Sequence, residues 1–258
     1  MTAGMPALSI TPIEGIPEVL PGTDLAALLA QRLAAGALTL RADDVLVVAQ
    51  KIVSKAEGRF VELATVSPGA RAQELAALTG KDPRLIELIL AESTEVLRAR
   101  RDVLIVRHRL GFVMANAGID RSNVGPAAGA ERVLLLPRDP DASAAALRAA
   151  LVAGGAAACG VIISDSFGRA WRRGVVNVAL GAAGVTALWN RRGEPDRAGR
   201  RLQITEVALA DALAAAAGLV LGEAAEGIPA VLVRGLRSSA PANPARALLR
   251  PLDEDLFR

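Results

Sequence analysis

The sequence predicts a protein of mixed helices and strands, built as one large domain or two smaller ones. Short apolar runs carry the strand signal: Val45 to Ala49 and Val161 to Ile163 have the composition of buried strands. Helical spacing carries the other signal, with Leu25, Leu28, Leu29 and Leu33 on one face, and Leu85, Ile86, Ile89 and Leu90 on another. With 258 residues, 52% of them hydrophobic, and a mean hydropathy of +0.36, the chain can bury a real core.

Taken in order, Leu8 to Ile13 reads as a short first strand, and the glycines and prolines of GIPEVLPGTDL then forbid a regular element. Thr23 or Asp24 caps a helix that ends near Gly36, and Asp43 and Asp44 precede the strand at Val45. Ser67 and Pro68 start one helix, Asp82 and Pro83 another, whose wet side carries Glu87, Glu92 and Glu95. Val103 to Val106 reads as a strand, followed by the sole histidine, His108, in a structural or exposed role. After the small residues Ala127 to Ala130 come a strand at Val133 to Leu136 and a helix from Asp141 to Leu151, capped by Asp141 or Ser143. A further strand is expected at Gly184 to Leu188, then a helix opened by Thr205 or Glu206 that ends near Gly218.

Composition narrows the function. Aromatic residues make up 2% of the chain and tyrosine is absent, so stacking platforms for single-stranded nucleic acid are nearly missing. The pI is about 9.7, yet the net charge is only +3 and no long block of like charge occurs, which fits local anion binding better than a nucleic-acid tract. One cysteine, Cys159, permits no internal disulfide and points to the cytoplasm. No signal-peptide pattern opens the chain and no apolar run has the length of a membrane span, so neither membrane nor nucleic acid is expected as a partner.

Chemistry concentrates at GVIISDSFGRAWRRGVVNVALG. Asp165 and Ser166 fall where the apolar strand is expected to give way to a loop, and a carboxylate beside a hydroxyl suits a hard divalent cation. Arg169, Arg172 and Arg173 supply charge for phosphate oxygens; the alternative is a strand end with a solvated basic turn. Lys51, Ser54 and Lys55 follow the Val45 strand and suit phosphate, although the segment lacks the glycines of a Walker A loop. Asn116, Gly118, Asp120 and Asn123 crowd one polar loop, and Gly222, Glu223, Glu226 and Gly227 another; turns with exposed acids are the plainer reading of both. If the strand ends converge, these loops build one site of oxygen ligands that favours magnesium or manganese over zinc.

Six segments in order, GIPEVLPGTDL, DDVLVVAQKIVSKAEGR, NAGIDRSNV, LLLPRDPDASA, VIISDSFGRAWRRGVVNVALG and GEAAEGIPAVLVRGL, resemble the coenzyme F420-0:L-glutamate ligases (F420:gamma-glutamyl ligases). The resemblance implies an α+β fold of mixed sheets and helices in two intimately associated subdomains, which forms an intertwined homodimer. Residues 1–240 would be the ligase domain and 241–258 a tail, without the reductase-like domain that follows in some bacterial relatives. It implies GTP as co-substrate, held by Ile16, Pro17, Glu18, Val19, Gln50, Lys51, Lys55, Asn123 and the loop Leu221, Gly222, Glu223, Ala224, Ala225, Glu226, Gly227 and Ile228. Magnesium or manganese, with potassium as a further ion, would be held at Asp120, Asp165, Ser166 and Glu223. The implied reaction adds L-glutamate by gamma-linked amide bonds to coenzyme F420-0 or its dehydro form through an acyl phosphate, with Lys55, Arg169 and Arg172 steadying phosphate oxygens. Ser166 stands where the family often has threonine, and Ala224 and Ala225 where it has a glycine-rich loop. Phe167 and Trp171 are the candidates for stacking on a deazaflavin ring. A GTP- and metal-binding module without catalysis, and a ligase for a folate-like acceptor, are the competing readings.

Overall fold

The computed structural model describes residues 7–122, 124, 131–236, 238 and 240–255. Its elements begin with β1 (Ser9–Pro12), α1 (Leu25–Ala35), β2 (Val45–Ala49), α2 (Gln50–Ala56) and β3 (Phe60–Glu62). Next come α3 (Ala70–Thr79), α4 (Pro83–Ala91), β4 (Ser93–Arg100), β5 (Val103–His108), β6 (Val113–Ala115) and β7 (Arg132–Leu134). The second half holds α5 (Pro140–Ala153), β8 (Gly160–Arg169), β9 (Arg172–Ala183), β10 (Leu188–Asn190), β11 (Glu206–Ala208), α6 (Leu209–Leu221) and β12 (Ala230–Arg234). The fold is mixed α+β with several sheets.

Five strands in the order β1-β12-β2-β8-β9 form the central sheet, in which β2 and β8 are the parallel pair and the other neighbours run antiparallel. Helices cover both faces, which is why β2 is a continuous apolar run with no alternation. Leu46, Val48, Val161 and Ile163 pack under α1, α2 and α5, while Val45, Val47, Ile162 and Val233 pack under α6. Asp24 caps α1 as expected, accepting from the Ala27 N–H.

A second core joins α3 and α4 to the β4-β5-β6 sheet through Leu75, Ile86, Ile89, Leu104 and Val106. Here the structure corrects the sequence reading. Glu92 is not on a wet helix face: it ends α4 with its side chain largely buried, and its Oε2 accepts from Arg59 Nη2 at 3.2 Å and Arg109 Nε at 3.1 Å. His108 Nε2 stands 3.4 Å from the same oxygen, and its Nδ1 accepts from the Leu110 N–H, so the buried histidine is structural. Glu95 lies on β4, a strand the sequence reading passed over.

Three helix starts also move. The helix expected from Ser67 begins at Ala70, after Gly69. Asp139 caps α5, because Pro140 takes the first helical position; Asp141 instead turns inward and accepts from the backbone N–H groups of Ala182, Ala245 and Arg246. Glu206 to Ala208 pairs with β10 as a strand before α6 starts at Leu209, and β10 itself begins at Leu188, where the strand expected from Gly184 ends.

Candidate active site

The site is set by a mismatch of strand lengths. β2 pairs with β8 only as far as Ala49 opposite Ser164, where β2 turns into α2. β8 does not stop there: it runs through Asp165 and Ser166 to Arg169, held by β9 alone. The expectation of a strand end at Asp165 is corrected accordingly. Polar residues need not end a strand whose backbone groups are satisfied by a hairpin partner. Both parallel strands thus carry their C-terminal sides to one place, where open sheets commonly bind ligands.

A cavity of about 490 Å³ lies there, within the usual size of small-molecule sites. Ile16 to Val19, Gln50, Lys51, Lys55, Asp165, Ser166 and the whole loop Leu221 to Ile228 line it, as the sequence reading had gathered them. Asp120 reaches the same place through its partners on α2, and Asn123 lies outside the described residues. Arg169 and Arg172 flank the turn of the β8–β9 hairpin, outside the lining. Ser164 and Asn177 line the cavity too, and sequence reasoning missed both. The hydroxyl closing the apolar run GVIIS was the only signal for Ser164.

Side chains on α2 fix Asp120. Ser54 Oγ donates to Gln50 Oε1 at 2.8 Å, which turns the Gln50 amide outward to donate to Asp120 Oδ2 at 2.9 Å. Lys51 Nζ stands 3.3 Å from Asp120 Oδ1, so both carboxylate oxygens are held. One turn on, the buried Lys55 donates to Glu18 Oε1 at 2.6 Å. Burial lifts Asp120 above its ordinary range, and Lys51 and Gln50 offset part of that.

Asp165 is less well compensated. Burial first, and then the neighbouring Asp120 charge with Glu223 adding, push it up to about 7; the Ser166 N–H and Lys51 pull the other way. This is a site short of positive charge with oxygen donors only, which fits a hard divalent cation. Among the described residues no three His, Cys, Asp or Glu form one cluster, so Asp120, Asp165, Glu223 and the Ser166 hydroxyl do not make a closed shell by themselves and would need water and ligand oxygens to complete one. Of the expected stacking residues, Phe167 is engaged edge-to-face with Phe112, centroids 6.1 Å apart, and Trp171 is 88% exposed at the hairpin turn.

The F420-0:gamma-glutamyl ligase family model matches residues 15–235. Coenzyme F420:L-glutamate ligase of Methanothermobacter thermautotrophicus is 46% identical over 256 residues, covering 97% of this chain and 99% of that protein. The protein of the same name from Methanopyrus kandleri is 46% identical over 260 residues, covering 99% of each chain, and that of Halobacterium salinarum is 44% identical over 252 residues.

Proposed function

The chain belongs to the F420-0:gamma-glutamyl ligase family, and from that premise we propose that it joins L-glutamate to coenzyme F420-0, or its dehydro form, by a gamma-linked amide bond at the expense of GTP. One observation carries this reading to the cavity: Lys55, the Lys51–Asp120 pair, Asp165 and the Leu221–Ile228 loop, far apart in sequence, meet around one space of ligand size. A carboxylate does not react with an amine at neutral pH until one of its oxygens becomes a leaving group. In the proposed sequence the acceptor carboxylate oxygen therefore attacks the γ-phosphorus of GTP and GDP departs. The glutamate amine, having lost its proton, then attacks the acyl carbon, and inorganic phosphate leaves with the electrons of the C–O bond.

The chain's own residues supply binding and electrostatics. Lys55 and Lys51 offer ammonium groups to phosphate oxygens, and the loop from Gly222 to Gly227 lets backbone approach the nucleotide closely, Gly222 and Gly227 both having positive φ. Asp120, Asp165, Ser166 and Glu223 would hold magnesium or manganese, which when bound neutralises charge building on the phosphates. Cys159 is buried with no base paired to it among the described residues, and no covalent enzyme intermediate is proposed. A homodimer is part of the proposal, and sedimentation of the purified chain tests it.

The deciding experiment mixes purified protein with GTP, magnesium, L-glutamate and the F420-0 acceptor, reading GDP release and product mass. Glutamate-dependent GDP release with a heavier product, lost in Asp165→Ala, supports the ligase. GTP binding without either signal points to a non-catalytic module, and mass gain on a folate-like acceptor alone points to the other substrate.

A further inference from the structure

The cavity contains a buried polar group that the reading above does not use. Ser164 is 1% exposed, lines the cavity, and its Oγ has no hydrogen-bond partner among the described residues. Buried hydroxyls are nearly always partnered, because leaving one unmade forfeits its hydration with no return. Asn177 lies close by: it is 8% exposed and lines the same cavity.

Register puts the two together. Ser164 lies opposite Ala179 and Ser166 opposite Asn177, so all four share one face of the β8–β9 hairpin, the face on which Ala179 packs against α6. Asp165 stands on the other face, toward Asp120. The cavity wraps around the β8 edge that β2 leaves uncovered, and takes side chains from both faces. α6 is shaped for this arrangement: a Cβ at Gly218 would lie 2.6 Å from Asn177 Oδ1, so glycine leaves the room that the carboxamide occupies.

Resting on the ligase reading of this cavity, we propose that Ser164 is a substrate-binding residue whose hydroxyl, with Asn177 beside it on the same face, donates to an anionic oxygen of a bound substrate. Two neutral donors in a cavity that also holds Lys51 and Lys55 suit a phosphate or carboxylate oxygen, which accepts from small donors without needing a further full charge. GTP, the F420-0 acceptor and L-glutamate all carry such oxygens, and the experiment separates them.

The test is Ser164→Ala, which removes one oxygen from an unpartnered site. The melting temperature of the ligand-free protein is expected to stay level or rise, because an unsatisfied buried hydroxyl is replaced by a methyl. Titration calorimetry with magnesium–GTP, F420-0 and L-glutamate, each alone, is expected to show about a tenfold weaker affinity for one of them, and that substrate is the source of the oxygen. A fall of several degrees in the ligand-free melting temperature overturns the proposal whatever the affinities do, since it gives the hydroxyl a structural partner. Unchanged affinity for all three, or no binding of any to the wild type, overturns it as well. Calorimetry needs no turnover, so a wild type that binds substrate yet forms no glutamate adduct defeats the ligase reading and leaves the Ser164 test standing.

Discussion

Glu92→Gln is the sharpest test of how the second core is held. The Glu92 carboxylate takes its low pKa, about 2 against an ordinary 4.5, first from His108, with burial opposing and the Arg109 and Arg59 charges adding. A depressed pKa contributes stability above the ordinary value and loses it as pH falls toward the folded one. A carboxyl held at about 2 in place of 4.5 corresponds to roughly 3 kcal/mol at pH 7 and to about 1.4 kcal/mol at pH 3, where the unfolded chain is already protonated. The side chain is 14% exposed, so little is lost to solvent screening. Glutamine keeps the shape and one acceptor oxygen, and removes the charge. Urea unfolding at pH 7 should find the variant weaker by about 3 kcal/mol, or some 6–12 °C in melting temperature for a chain of this size. At pH 3 the gap between the two proteins should shrink by about half. A gap that is the same at both pH values, or below about 1 kcal/mol at pH 7, would refute the reasoning.

Three further predictions separate binding from folding. Lys55→Met should cost only about 1 kcal/mol of stability, because Glu18, its partner, is 57% exposed and is left to water; calorimetry should nevertheless find GTP affinity down at least about tenfold, as expected for a lost charge-assisted contact. Gly181→Ala should do the reverse: its Cβ would sit 2.1 Å from the Pro140 carbonyl oxygen, backbone against backbone, and melting should report a loss of about 1–3 kcal/mol or more. Arg169→Ala and Arg172→Ala, at the hairpin turn outside the cavity lining, should each change GTP affinity less than about threefold, under 1 kcal/mol; a tenfold loss would return these arginines to the phosphate.

The parts legible in the sequence are those whose physics is local. β2 and the start of β8 announce themselves because both faces are buried, and α4 because Asp82, Pro83 and a leucine-isoleucine face repeat the signals of a helix start. β4 did not show because its burial follows no clean alternation and arginines and glutamate punctuate it, with register shifts against β5. The continuation of β8 past Ser164 was hidden for a related reason. Beyond β2 the strand loses one neighbour, and the β9 ladder alone keeps its polar residues extended. The cap of α5 was misread by two residues because Asp139 and Asp141 flank Pro140 and each is a fair cap by itself; only the packing of Asp141 against three backbone N–H groups decides.

The acids of the site were legible as residues but not as an ensemble. Buried acids elsewhere in this chain have partners: Asp141 has three backbone N–H groups, and Asp44 has Arg234, which with the Arg41 N–H outweighs burial and holds it below its ordinary range, while burial lifts Asp211 despite the Ala179 N–H it accepts from. Such groups stabilise or at least do not disturb the fold, and nothing about them calls for a ligand. Asp165 differs in kind, since two of the charges acting on it are acids, and Ser164 beside it keeps a buried hydroxyl with no described partner. Both departures fall on consecutive residues of one strand, at the point where its neighbour ends. Ending β8 with β2 would have avoided the conflict at these two residues. Strand β8 runs on instead, and the unsatisfied groups it carries are the ones that face the cavity. A buried acid pushed up by neighbouring acids, next to an unpartnered buried hydroxyl and facing a cavity of ligand size, is a local conflict with folding rules of the kind expected at a site whose remaining partners are its substrates.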